Sequence, residues 1–116
     1  MSISTVKLSL DHLRSLGFVV DVCERWVPSP QGQVRRDLFG VLDLVALRDG
    51  VTLGIQTTTR GEMGKRARKI AASETTPALH AAGWRLVVHG WYQPRGPRTR
   101  WELEELEVLR PGVVVA

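Results

Sequence analysis

Asp43 is the residue with the most chemistry to explain. It sits inside Leu38-Phe39-Gly40-Val41-Leu42-Asp43-Leu44-Val45-Ala46-Leu47, a run that is otherwise almost wholly apolar. A carboxylate in such a setting costs several kcal/mol unless it is paired, hydrogen-bonded or bound to a metal. Asp49-Gly50 follows, a strong signal for a two-residue hairpin, and then the β-prone run Val51 to Thr58. A hairpin closed there brings the far ends of its strands together and sets Asp43 beside Gln56, thirteen positions on. Two oxygen-bearing side chains so placed suit a hard cation such as Mg2+ or Mn2+. The plainer alternatives are a structural acid paired with Arg35 or Arg36, and a Gln56 that is an ordinary exposed strand residue.

Charge supplies the second feature. Net charge is +4 and the pI is near 10.0, a modest pointer to polyanions. Arg60, Lys65, Arg66, Arg68 and Lys69 crowd one segment against a single acid, Glu62, and Arg95, Arg98 and Arg100 form another basic group. Glu102, Glu104, Glu105 and Glu107 oppose them in an acidic terminal segment. Such a basic run is either a polyanion-binding face or simply a solvated one.

Length and composition bound the rest. A chain of 116 residues with 43% hydrophobic and 24% charged residues reads as one globular domain, 1–116. Its lone cysteine, Cys23, permits neither an internal disulfide nor a cysteine-built zinc cluster. No apolar run reaches the ~18 residues of a membrane span, and Met1–Leu10 lacks the layout of a secretory signal, so a cytoplasmic protein without membrane contact is expected.

The elements that must position Asp43 follow from periodicity. Ser4 or Thr5 caps a helix with Val6, Leu10, Leu13 and Leu16 at helical spacing, ended by Gly17. Phe18–Val27 reads as a strand stopped by Pro28-Ser29-Pro30-Gln31-Gly32, and Leu38–Leu47 as a strand covered on both faces. After the Asp49-Gly50 hairpin, a helix spans Glu62 to about Ala72, and a short one with Thr76 as cap spans Pro77–Ala82. Trp84–Trp91 is a strand. Thr99–Leu109 is a last strand with a slip near Glu104–Glu105. His12 and His80 fall in helices as surface residues; His89, within a strand, is either a core or a catalytic histidine. The order predicts an α/β fold with a mixed sheet and helices packed on it.

Gly40-Val41-Leu42-Asp43, the hairpin, and Gly54-Ile55-Gln56-Thr57-Thr58 before a basic helix resemble the core of PD-(D/E)xK nucleases. Within that superfamily the segment, with the Gly17-Phe18 strand start, is most similar to small Holliday-junction-resolvase-like proteins. The resemblance covers roughly Thr5 to Trp91 and implies a restriction-endonuclease-like αβββαβ core, here with an extra C-terminal strand. It carries the family's aspartate to Asp43 and its second acidic position to Gln56. Thr58 stands where the family has lysine, and no glutamate appears in the first helix or near Gly17. The resemblance implies a metal held by Asp43, Gln56, the Thr57 carbonyl and Asp37. Lys65 or Arg60 would stand in for the missing lysine. Arg35, Arg36, Lys65, Arg66, Arg68 and Lys69 would hold DNA phosphates.

Two functions follow from it. One is a metal-dependent endonuclease or junction resolvase, a homodimer because a junction is two-fold symmetric, acting on branched or duplex DNA with little sequence preference. The other is a nuclease-fold module that binds DNA or protein without cutting, which the Gln-Thr-Thr triplet favours.

Overall fold

Ser4 opens the first helix in the computed structural model, which describes residues 4–111. Its Oγ accepts from the Val6 amide, so it is the N-cap of α1 (Thr5–Ser15), and Gly17 leaves the helix at φ +87°. Val6, Leu10 and Leu13 pack against Val20, Leu44, Ala46 and Ile55 as expected of the stripe, whereas Leu16 lies past the last turn and is half exposed.

The expected strand Phe18–Val27 is two strands that diverge. β1 (Val19–Val22) joins the sheet, and the chain then leaves it as a separate hairpin of β2 (Arg25–Ser29) and β3 (Gly32–Arg36). The return strand Gly32-Gln33-Val34-Arg35-Arg36 has no apolar alternation, because neither of its faces is covered, and so it leaves no strand signal in the sequence. The apolar run Leu38–Leu47 is likewise only half strand. β4 spans Leu44–Arg48, while Leu38–Asp43 forms a tight turn with Phe39 at φ 54° and Gly40 at φ 74° and a Leu38–Leu42 bridge. Val41 and Leu42 are apolar because that turn is buried.

Asp49 and Gly50, both at positive φ, close the hairpin into β5 (Val51–Thr59) as expected. A 3-10 turn over Arg60–Glu62 leads into α2 (Met63–Ala72), followed by α3 (Thr76–Ala81), β6 (Arg85–Tyr92) and β7 (Glu102–Val108). Thr75, not Thr76, is the N-cap of α3; the Thr76 hydroxyl donates instead to the Ile70 carbonyl at 2.5 Å, tying α3 to α2. The result is an α/β protein with a mixed five-stranded sheet, order β1-β4-β5-β6-β7, in which only β5 and β6 run parallel. α1 covers one face; α2 and α3 cover the other, over Leu42, Leu86 and Val88. The pairing of β6 with β7 is unbroken from Leu86↔Val108 to Tyr92↔Glu102, so there is no slip at Glu104–Glu105. Leu103 opposes Trp91 and Leu106 opposes Val88, so the edge strand carries apolar residues on both faces, and that mimics a shifted period. No helix among the described residues is long and apolar enough to cross a membrane.

Under α1 lies a buried polar chain. Trp91 Nε1 donates to Ser9 Oγ at 2.8 Å, and Ser9 Oγ and His89 Nδ1 share a hydrogen bond, also at 2.8 Å. His89 is a neutral, core histidine, and burial, with His12 alongside, lowers its pKa to about 4. His12 and His80 are not free surface residues either: His12 stands edge-on to His89 and Trp91, and His80 Nε2 donates to the Val108 carbonyl at 3.0 Å. Ser9→Ala strands two buried polar groups at once and should cost ~2–4 kcal/mol. Urea unfolding followed by tryptophan fluorescence reads this as a lower midpoint at unchanged slope; an unaltered midpoint removes the network from the stability account.

Candidate functional site

Asp43 is clamped by its own backbone before its side chain does anything. Its amide donates to the Ile55 carbonyl and its carbonyl accepts from the Cys23 amide, both at 2.8 Å, so it is wedged between the end of β1 and β5. Carboxylate Oδ2 accepts from the Thr57 amide at 2.8 Å, and the residue is only 6% exposed. The β2–β3 excursion begins and ends beside it. Glu24 lies at the exit from β1 and Asp37 at the return from β3, so the closed hairpin delivers an acid from each of its ends. One carboxylate oxygen from each of Glu24, Asp37 and Asp43 lies within 4.8 Å of the others.

The charges of Asp37 and Glu24 bear on Asp43 at this distance. Burial raises the pKa of Asp43 to about 6, with the charges of Asp37 and Glu24 adding to it and the Thr57 amide opposing it. Arg35 offsets part of the charge, with Nη1 3.2 Å from Glu24 Oε2 and Nε 4.0 Å from Asp37 Oδ1. Those approaches are electrostatic without hydrogen-bond alignment: Glu24 Oε2 and Asp37 Oδ1 are buried with no hydrogen-bond partner among the described residues. Buried carboxylate oxygens with open lone pairs, close enough to share one centre, are the donor set a hard divalent cation takes at ~2.0–2.6 Å. The residues fit such an ion. The cleft in front of them is about 280 Å³, room for an ion that keeps several waters, and Thr57, Thr58, Thr59, Arg35 and Arg66 line it.

The other residues singled out in the sequence are distributed as follows. Gln56 follows Ile55, the partner of Leu44, and so is next to Asp43 along the β4–β5 pairing. Its side chain, however, lies in the core, 1% exposed, with Nε2 donating to the Val41 carbonyl at 2.6 Å; it does not line the cleft. Its Oε1 is buried with no partner among the described residues and is the one oxygen it could lend a cation. Thr57 gives its amide to Asp43, and its hydroxyl meets that of Thr5 at 3.0 Å. Asp37 joins the cluster. Arg66 is the residue of α2 that lines the cleft, its buried Nε without a partner among the described residues, whereas Lys65, Arg68 and Lys69 are exposed outside it. Arg60 is turned to stack over the Tyr92 ring at 3.9 Å. Arg36 is exposed on the hairpin, and Arg35 pairs with Glu24 and Asp37 rather than with Asp43.

Sequence reasoning missed Glu24. Glu24 falls inside the expected strand Phe18–Val27, and its only signals are the proline-glycine turn after it and the acid at Asp37, the marks of a loop returning to its start. Comparisons of the chain with protein-family models, with curated proteins and with solved structures find no match.

The raised pKa of Asp43 gives a signed stability prediction. Its proton is held more tightly in the folded chain than in the unfolded one. Its contribution is therefore fully present below about pH 4, is lost as pH rises through about 6, and leaves a penalty above that. Asp43→Asn removes the penalty and should stabilise the metal-free protein at pH 7.5 by on the order of 2 kcal/mol, with the gain vanishing near pH 4. Denaturant titrations of both proteins across that range check it; a gain that does not depend on pH contradicts the assignment.

Proposed function

We propose that this protein is a divalent-metal-dependent nuclease of the PD-(D/E)xK kind that hydrolyses DNA phosphodiester bonds, in the manner of the Holliday-junction-resolvase-like members. The observation that carries the reading is the meeting of Glu24, Asp37 and Asp43, from three separated stretches of chain, with Glu24 and Asp43 on the wall of a cleft that Arg66 of the basic helix α2 also lines. The order α1-β1-β4-β5-α2-β6, with β6 parallel to β5 and the hairpin inserted after β1, fits the restriction-endonuclease-like core that the resemblance implies.

On this reading the three carboxylates hold Mg2+ or Mn2+, which when bound supplies Lewis-acid stabilisation of charge on the phosphate. Asp43 anchors the set, because the Thr57 amide fixes its Oδ2 while the other oxygen remains available. Arg66 takes a phosphate oxygen at the cleft, and Lys65, Arg68 and Lys69 on exposed positions of the same helix hold flanking phosphates. Thr58 lines the cleft at the position of the family's lysine and offers a hydroxyl without charge, so transition-state stabilisation rests on Arg66 and turnover is slow. The two-fold symmetry of a junction makes a homodimer the matching assembly.

A second reading, DNA binding without cleavage, is favoured by one observation: among the described residues no lysine lines the cleft, whose cations are Arg35 and Arg66. Four-way junction, flap and blunt duplex substrates, each incubated with Mn2+, Mg2+ or chelator, separate the two. Slow cutting, faster in Mn2+, is expected, because its geometric demands are looser than those of Mg2+. Asp43→Ala should abolish it, and Arg66→Glu with Lys69→Glu should weaken binding and flatten its salt dependence. Cleavage surviving Asp43→Ala overturns the site; no cleavage of any substrate by the wild type leaves the binding reading.

A further inference from the structure

The β2–β3 hairpin has a composition that its place in the fold does not call for. It is a two-stranded ribbon outside the main sheet, and every residue of β3 is exposed. Arg25 to Arg36 holds three arginines and no acid. Arg25 and Arg36 are directly paired across the ribbon, a like-charge juxtaposition that destabilises a hairpin, and neither has an ion-pair partner among the described residues. Trp26, 65% exposed, has no aromatic or cationic partner among the described residues. A bare tryptophan on a ribbon whose charge is wholly basic is the surface that a polyanion with aromatic faces complements.

Register fixes where that partner runs. Trp26 is the cross-strand partner of Arg35, so both project from the same face of the ribbon, and Arg35 lines the acidic cleft. The backbone of Trp26 therefore lies one strand spacing, about 5 Å, from that of Arg35, whose side chain lines the cleft. We propose that the hairpin is a stacking platform for unpaired DNA. An unstacked base lies on Trp26 and the strand passes Arg35, on the same face of the ribbon, on its way to the carboxylates; Arg25 and Arg36, on the opposite face, add charge that attracts it from a distance. A paired base keeps its faces inside the duplex and cannot use the ring, so the platform selects single-stranded segments such as those at a flap or branch. This deepens the nuclease reading and rests on it for the strand's destination, but the binding step requires neither metal nor cleavage.

The test is therefore made in chelator, with the full chain, by fluorescence anisotropy of a labelled single-stranded oligonucleotide and of its blunt duplex. Wild type should prefer the single strand. Trp26→Ala should weaken single-strand binding about tenfold, in the range stacking on one ring gives, and change duplex binding little. Trp26→Phe should restore most of the affinity, which also shows that the hairpin still folds. Arg25→Gln with Arg36→Gln should weaken single strand and duplex alike, and by less than Trp26→Ala weakens the single strand, because their charge acts from the other face. Unchanged single-strand affinity in Trp26→Ala overturns the proposal, as does equal loss on duplex, or a change in sedimentation showing that Trp26 joins two copies of the chain. A wild type that cuts nothing yet loses the single strand on Trp26→Ala keeps the platform and sinks only the nuclease.

Discussion

The hydrogen bond from the Thr57 amide to Asp43 Oδ2 joins the two halves of the structure that matter most. It spans the start of β4 and the far end of β5, and it does so with a backbone donor, which is fixed in place by the strand itself. Around it the chain assembles charges that oppose one another: Asp37 and Glu24 at the two ends of an excursion that must close for them to be there at all. One aligned N–H and one guanidinium, that of Arg35, are what the described protein sets against three carboxylates. The site is thus under electrostatic tension that sheet packing sustains. Strain of this kind marks places where stability has been given up for something other than folding.

The sheet explains why that tension is tolerated. Leu44 and Ile55 on the α1 side, and Leu42, Leu86 and Val88 on the α2 side, seal both faces of the strands next to the acids. Gly54 has no side chain because a Cβ there would fall 2.7 Å from Leu42 Cδ1. Gly90 lies as closely under Met63. These two glycines let α2 and the buried turn over Leu38–Asp43 settle directly onto β5 and β6, which fixes the depth at which Asp43 sits. Gln56 belongs to the same arrangement: its amide caps the Val41 carbonyl and so ties down the turn that carries Asp43.

Much of this was legible in the residues, and the parts that were not share a cause. α1, the Asp49-Gly50 hairpin and the basic helix announce themselves because each has one buried side or one turn that demands particular residues. Asp43 was conspicuous for the same reason, a carboxylate among aliphatic side chains. The β2–β3 ribbon was invisible: with no face covered, Gln33, Val34, Arg35 and Arg36 obey no period. Losing the ribbon also lost Glu24, which reads as a strand residue unless its chain turns away after Val22. The run Leu38–Leu47 misled in the other direction, since a buried turn needs apolar residues as much as a buried strand does. The facing of Gln56 was beyond reach as well. Position along a hairpin fixes which residues are neighbours, but the chain bends at Asp43, and a one-residue departure there decides what its side chain meets.

The acidic β7 has a consequence for how the molecule behaves among copies of itself. An edge strand offers a free row of amides and carbonyls, and any second edge can add to it as the next rung of a growing sheet. Along β7 that row is flanked by Glu102, Glu104 and Glu105, with Glu107 held by Arg85, so two such edges meeting would bring like charges together before a single hydrogen bond formed. The opposite edge is guarded differently: β1 is only four residues long, carries Asp21 in its middle, and ends where the chain swings out into the ribbon. Fibrillar stacking, the usual hazard of an open five-stranded sheet, is thus blocked at one end by repulsion and at the other by brevity. Neither edge is therefore an easy seed for a growing ladder.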